Sequence, residues 1–259
     1  MEHLWQKLCN ELKLYAKQNG FERVVLGLSG GLDSALTAVL AADALGKRNV
    51  TAVMMKTKFT SDLSLNIARE ISKLNNLNYL EWDIEPLVNA HTVFLREHLK
   101  DELKDITFQN IQARLRGELL MAYSNQTGAL VLACSNKSEI LTGYCTLYGD
   151  TAGGLAPIGN LYKTEVFQMA SWRNTLSRVL PDAVISRAPS AELSKNQKDE
   201  DSLPPYAVLD PILNALYDKK LSIEDAMVLG LNRQTIEYVQ SLIQKAAFKR
   251  RQMPKTLEI

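Results

Sequence analysis

The chain has 259 residues, enough to bury a full core as one large α/β domain spanning 1–259, with or without a small appendage. Thirty basic residues against 29 acidic ones leave a net charge of +1, so no field is built for nucleic acid or an anionic membrane, and neither partner is expected. Residues 1–7, Met-Glu-His-Leu-Trp-Gln-Lys, lack a signal peptide's basic-then-apolar pattern, and no apolar run reaches bilayer length. The expected location is therefore cytoplasmic. Cys9, Cys134 and Cys145 are widely spaced with no CxxC, and read as reduced, half-buried small hydrophobes rather than zinc ligands.

Leu4, Leu8, Leu12 and Tyr15 mark one face of a first helix that ends near Asn19-Gly20. A β-branched strand follows over 23–28 and breaks through Ser29-Gly30-Gly31-Leu32-Asp33-Ser34 into a helical pattern. Residues 49–55 read as a second strand. Ser61-Asp62 caps a helix bearing Leu65, Ala68, Ile71 and Leu74. Residues 78–84 form a third strand, and Pro86 opens another helix in its first turn. A long helix carries Phe108, Ile111, Leu115, Leu119 and Ala122 and stops at Thr127-Gly128. Residues 129–133 are a fourth strand, 155–158 a short further one, and the remainder is mainly helical. This alternation predicts a doubly wound, mostly parallel sheet, Rossmann-like, with a helical C-terminal part and its ligand at the carboxyl ends of the strands. The stretch from Pro189 to Pro205, polar, charged and closed by a Pro-Pro pair, is the one expected to be mobile.

The turn after the first strand is the chemical signal. Two glycines between strand and helix leave several backbone N–H groups free at the positive end of the helix dipole, a place for phosphate. Gly30 and Gly31 permit the close approach, Ser29 and Ser34 add hydroxyls, and Asp33 beside bound phosphates calls for an intervening hard cation such as Mg2+. A tight connection whose glycines only serve packing would look similar. A nucleophile elbow at Gly27-Leu28-Ser29-Gly30-Gly31 needs a downstream acid and then a histidine, and no histidine follows His98. A Walker loop needs a Lys-Ser or Lys-Thr that is missing. SGGLDS instead resembles the PP-loop of the ATP pyrophosphatase superfamily, which cleaves ATP to AMP and pyrophosphate.

Two further constellations follow. Asn136-Lys137-Ser138-Glu139 at the end of the fourth strand reads by itself as a helix cap, but the topology lets Glu139 share a cation with Asp33. Lys163, opening a later helix, can meet phosphates; its plainer reading is a solvated lysine. Arg114 and Arg116 read alone as a solvated helix face, and Lys249-Arg250-Arg251 as a basic tail.

Taken together, GLSGGLDS (27–34), NIQARLRG (110–117), NKSE with GYCTLYGD (136–150), PIGNLYKTEV (157–166), APSAEL (188–193), QKDEDSLPPY (197–206) and KRRQ (249–252) resemble the NAD synthetases, in that family's order and over nearly the whole chain. The resemblance implies the ATP pyrophosphatase fold (adenine nucleotide alpha-hydrolase-like), a homodimer, and ATP as co-substrate with Mg2+. It implies amidation of nicotinic acid adenine dinucleotide to NAD through an adenylate, the last step of NAD biosynthesis. Gly27, Leu28, Ser29, Gly30, Gly31, Leu32, Asp33 and Ser34 then bind ATP phosphates, with Asp33 and Glu139 as Mg2+ ligands and Cys134, Lys163 and Ser190 contacting ATP. Asp33, Glu139 and Lys163 carry the catalysis. Asn110, Arg114, Glu139, Tyr144, Leu147, Asp150 and Lys249 hold the deamido-dinucleotide, and the 189–205 segment orders over the reacting groups.

Three departures matter. Met55-Lys56-Thr57-Lys58 stands where the family often has Met-Pro-Ser-Arg near adenine, and Gly154 where many ammonia-dependent members carry an acid. The later motifs resemble the glutamine-dependent branch, yet too few residues precede Ser29 for a glutaminase domain. Free ammonia, or ammonia from a separate glutaminase subunit, is therefore the expected nitrogen donor. The alternatives are the same chemistry on nicotinic acid mononucleotide and a non-catalytic adenine-nucleotide-binding module.

Overall fold

The computed structural model describes residues 1–189, 192–194, 198–228 and 230–258. Helix α1 (Glu2–Gln18) buries Trp5, Leu8, Leu12 and Ala16 against α2 (Leu32–Leu45), which follows β1 (Val24–Gly27). Strands β2 (Val50–Lys56) and β3 (Asn78–Asp83) flank α3 (Asp62–Asn75), whose N-cap Ser61 accepts from the Ser64 N–H at 3.1 Å. Helices α4 (Glu85–Leu99) and α5 (Asp105–Thr127) lead to β4 (Leu130–Val131), and Gly128 closes α5 in the left-handed conformation. The main sheet is fully parallel in the order β3-β2-β1-β4.

Beyond β4 come α6 (Lys137–Thr142), β5 (Leu155–Ala156), α7 (Lys163–Leu176) and α8 (Asp182–Ser186). Helices α9 (Tyr206–Leu213), α10 (Ile223–Met227), α11 (Arg233–Lys245) and α12 (Ala247–Arg250) make up the helical C-terminal part, followed by β6 (Lys255–Thr256). Strand β6 was not expected. It pairs in parallel with β5, and a bridge from Leu132 to Leu155 joins that pair to β4. Its two residues are too few to show a strand period; the pairing comes from the partner.

The parallel sheet is covered on both faces, which makes its strands near-continuous apolar runs. One core joins α1, α2, α3 and α7 to Val24, Leu26, Ala52 and Met54; the other places α4 and α5 on Val25, Val53 and Met55. A third cluster, built on Leu209, Ile212, Ile236 and Val239, packs α9, α10 and α11 together with α6 through Leu141. Among the described residues no helix is long and apolar enough to cross a membrane. The serial order β1, β2, β3 running outward and β4 on the other side of β1 creates a switch point at the carboxyl end of β1, where an open α/β sheet binds ligand.

Candidate active site

The switch point is filled by the glycine turn. Gly31 stands at the N-cap of α2 and supplies no side-chain acceptor, so the helix start is left open toward a ligand. Gly30 has φ of +82°, and a Cβ there would lie 2.4 Å from the Ser64 carbonyl oxygen of α3; only glycine fits. The two serines serve the turn itself. Ser34 Oγ accepts from the Ser29 N–H at 3.2 Å and donates to the Gly31 carbonyl at 3.0 Å, while Ser29 Oγ accepts from the Gly31 N–H at 3.2 Å.

Asp33, in the first turn of α2, receives partners from two other helices. Lys163 Nζ pairs with its Oδ2, and Asn136 Nδ2 donates to its Oδ1 at 3.0 Å. Asn136 caps α6: its Oδ1 accepts from the Glu139 N–H at 3.0 Å, and Glu139 Oε2 accepts from the Asn136 N–H at 3.2 Å. The cap expected from NKSE and the grouping of Asp33, Glu139 and Lys163 are thus one structure.

Lys163 is buried, with 3% of its side chain exposed, rather than solvated. Burial works against its ammonium, but Asp33 and Glu139 outweigh that and hold its pKa above the ordinary lysine value. Glu139 is pushed well above the carboxylate range, first by burial and then by the charge of Asp33, with Lys163 opposing. Two acids close enough to raise one another's cost of ionisation, with one lysine paired to Asp33, form an oxygen-rich site whose remaining repulsion a divalent cation would relieve. Among the described residues no group of three or more His, Cys, Asp or Glu is close enough to hold a metal.

The neighbours of this trio were not legible in local sequence. Asp210, only 4% exposed, accepts from Ser138 Oγ at 2.5 Å, from the Thr164 N–H at 2.9 Å and from Thr164 Oγ1 at 2.8 Å. Ser138 Oγ also accepts from the Lys163 N–H at 2.9 Å, so one carboxylate from α9 fixes the starts of both α6 and α7. Asp199, in the 198–205 part of the segment expected to be mobile, is buried and accepts from Tyr206 Oη at 2.8 Å. The Tyr206 ring lies 5.6 Å from Lys163 Nζ. Ser190 lies outside the described residues.

Cys134 packs its thiol 3.9 Å from the carbonyls of Gly27 and Leu132, and burial pushes its pKa up to about 12. It borders the turn as an inert surface. Cys9 and Cys145 are likewise pushed up to about 12, mainly by burial.

A second group of expected residues gathers on the 143–150 loop, apart from the trio. Asn110 Oδ1 accepts from Thr146 Oγ1 at 2.7 Å, and one turn later Arg114 Nε donates to the Leu147 carbonyl at 3.2 Å. Asp150 Oδ1 accepts from the Thr146 N–H at 2.7 Å. Lys249 Nζ donates to the carbonyls of Gly143 and Cys145, both at 2.7 Å, so the supposed basic tail is a clamp on the loop. Tyr144 stands between the two groups: burial and then the charge of Asp199 push its hydroxyl above the ordinary tyrosine value. Arg114, Tyr148 and Gln252 line an open cavity of about 540 Å³. Arg116 departs from a solvated reading. Its Nε donates to the Met55 carbonyl at 3.1 Å, and burial lowers its pKa to about 10.

A parallel sheet with a phosphate-type glycine turn at its switch point, and a buried lysine paired with the turn's aspartate, defines a nucleotide-binding α/β domain of the PP-loop type. The sequence profile of the NAD synthase family matches residues 4–253, and the chain belongs to that family. It is 47% identical over 250 residues to a glutamine-dependent NAD(+) synthetase of Xanthomonas campestris, covering 96% of this chain and 45% of the relative. The chain thus spans a little under half the length of such curated relatives. An NH3-dependent NAD synthetase from Campylobacter jejuni is 32% identical, with a TM-score of 0.78 and 99% and 98% of the two chains covered. An NMN synthetase from Francisella tularensis is 28% identical, with a TM-score of 0.82 over 96% and 95% of the chains. A glutamine-dependent NAD+ synthetase from Acinetobacter baumannii, solved with ADP, is 40% identical with a TM-score of 0.70, covering 98% of this chain and 46% of that one.

Proposed function

We propose that the chain amidates nicotinic acid adenine dinucleotide at the expense of ATP, with ammonia as the nitrogen donor. The observation that carries this reading is the buried Lys163 ammonium paired with Asp33 at the open start of α2. A nicotinic carboxylate cannot expel oxide, so it must first be activated. Its oxygen attacks the α-phosphorus of ATP, a new P–O bond forms, and pyrophosphate leaves as the mixed anhydride is made. The α2 N-terminus and Lys163 face the charge that grows on the departing pyrophosphate. Ammonia then attacks the acyl carbon, the C–O bond to AMP breaks, and one proton leaves the nitrogen. Asp33 and Glu139 are the carboxylates that would hold Mg2+, which would neutralise phosphate charge when bound.

Ammonia rather than glutamine is supported by the thiols. All three cysteines are pushed up to about 12, far from the thiolate needed to attack a glutamine amide. His91 and His98 sit on α4 with Nδ1 turned to the carbonyls of Leu87 and Phe94. A separate glutaminase feeding this chain fits the same chemistry. The mononucleotide reading rests on the likeness to the NMN synthetase over 96% of this chain. A homodimer is supported by apolar side chains left exposed on the α4–α5 side, including Phe94 at 58%, Leu99 at 59% and Ile106 at 58%.

The test is an assay with ATP and Mg2+, offering the deamido-dinucleotide or mononucleotide as acid and ammonium or glutamine as donor. NAD and AMP formed with ammonium and the dinucleotide support the proposal. Preference for the mononucleotide replaces the substrate, and no turnover with any pair by folded protein sinks the claim that this chain is an enzyme alone.

A further inference from the structure

At the carboxyl end of β2 lies a buried guanidinium, Arg116, that the chemistry above does not use. Strand β2 turns the Val53 carbonyl toward β1, where it accepts from the Leu28 N–H at 2.9 Å. Alternate residues of a strand face the same neighbour, so the Met55 carbonyl also faces that side. The Lys56 carbonyl, which accepts from Ile84 N–H on the β3 side, confirms the alternation. Strand β1 has ended at Gly27 by this level and the chain has turned away. The Met55 carbonyl therefore has no strand partner beyond the end of β1, and Arg116 Nε donates to it at 3.1 Å.

That bond fixes the guanidinium plane but leaves Arg116 Nη1 buried without a hydrogen-bond partner among the described residues. Among the described residues no carboxylate lies within ion-pair distance of Arg116. Glu192, whose charge it feels, has its Oε1 held by Arg187 Nη2 at 2.5 Å and by Ser61 Oγ at 2.9 Å. One turn before Arg116, Gln112 is fully buried, accepting from Thr57 Oγ1 at 3.2 Å and donating to the Leu193 carbonyl at 2.9 Å. The surroundings of Arg116 are thus polar, and a buried donor without a partner is costly to maintain.

We propose that Arg116 is a binding residue for the adenosine end of ATP, donating from Nη1 to a purine or ribose acceptor. This rests on the ATP reading of the glycine turn. Asn136 and Lys163, the partners of Asp33, come from elements that follow β4, whereas Arg116 Nε is bonded to the Met55 carbonyl of β2. Strands lie about 4.8 Å apart, so a nucleotide whose phosphates sit at the β1 turn reaches over β2 with its other end. Arg116, bonded to the Met55 carbonyl next to the end of β2, stands on that side.

Arg116→Met and Arg116→Lys test it, with ADP affinity measured by calorimetry, thermal melting as a check of folding, and kinetics where turnover exists. Arg116→Met is expected to weaken ADP binding and raise the KM for ATP by about 10- to 100-fold, the range of one charge-assisted hydrogen bond. Inhibition by pyrophosphate, which lacks base and ribose, and the KM for the acid substrate should stay within about twofold. Arg116→Lys keeps the charge without the planar fork and should recover only part of the loss. A folded Arg116→Met that binds ADP like the wild type overturns the proposal, as does an equal weakening of pyrophosphate. If Arg116→Met does not fold, the same comparison is made on Arg116→Lys. Because ADP binding needs no turnover, wild-type protein that binds ADP but amidates neither acid defeats the proposed reaction while leaving this test in force.

Discussion

Lys163 and Asp33 form a nearly dry ion pair, with 3% and 17% of their side chains exposed, between the first turns of two helices. Removing one partner strands the other charge. Lys163→Met is expected to cost about 3–5 kcal/mol of stability and to lower kcat at least ~100-fold. The double variant Asp33→Asn/Lys163→Met should regain much of the stability and none of the activity. Denaturant melts beside single-turnover rates check this; a double variant no more stable than Lys163→Met alone would refute the pairing as the cause.

The Glu139 carboxyl is pushed above the ordinary value, first by burial and then by Asp33, so the folded protein favours the protonated form. The associated stability is present below the unfolded pKa and is lost as pH rises through the raised folded value. Glu139→Gln should therefore stabilise the metal-free protein at pH 7–8 and flatten its pH–stability curve, while abolishing Mg2+-dependent turnover. A lower melting temperature than wild type at pH 8 would contradict it.

At Gly30 the close approach to α3 makes a sharp case. Gly30→Ala must accommodate φ of +82° and a Cβ placed 2.4 Å from the Ser64 carbonyl oxygen. A loss of roughly 1–3 kcal/mol from the backbone conformation alone, with more from the clash, is expected. ADP affinity should fall with it. Gly128→Ala provides the contrast: it shares the positive φ of +71° but meets nothing within 4 Å, so it should be milder and leave ADP binding intact.

Asp210 connects α9 to the starts of α6 and α7 through Ser138 and Thr164. Asp210→Ala is expected to leave these donors unpaired, cost ~2–4 kcal/mol, and lower kcat more than it changes KM for ATP. Equal effects on both would point to a general loss of fold instead.

The thiols give a prediction on reactivity. With all three pKa values raised to about 12, the native protein should react with a disulfide reagent at pH 7.5 far more slowly than the unfolded chain. One thiol titrating at the free-cysteine rate would show that its burial is wrong.

The elements that could be read in advance are those written in consecutive residues. The β1 run, the glycine turn and the amphipathic α3 with its Ser61 cap each declare themselves within about ten positions. The grouping of Asp33, Glu139 and Lys163 followed from topology, since all three open helices at the strand ends. Asp199 and Asp210 could not be read that way, because an acid in a polar stretch looks solvated until its donors arrive from elsewhere. Arg116 is the same case: its burial depends on a carbonyl at the end of β2, 61 positions away. The β6 strand exists only because β5 is there to pair with it.

Asp33 meets Asn136 at a sequence separation of 103 and Lys163 at 130. Contacts of that span carry a loop-closure cost that favours forming them after the sheet and both helical layers. Nucleotide affinity in this molecule is therefore a gauge of complete folding, and no partly assembled chain should display it. The converse follows by mass action: saturating ATP withdraws the finished structure from its unfolding equilibrium, and should slow proteolysis in proportion to occupancy where cleavage proceeds through global opening.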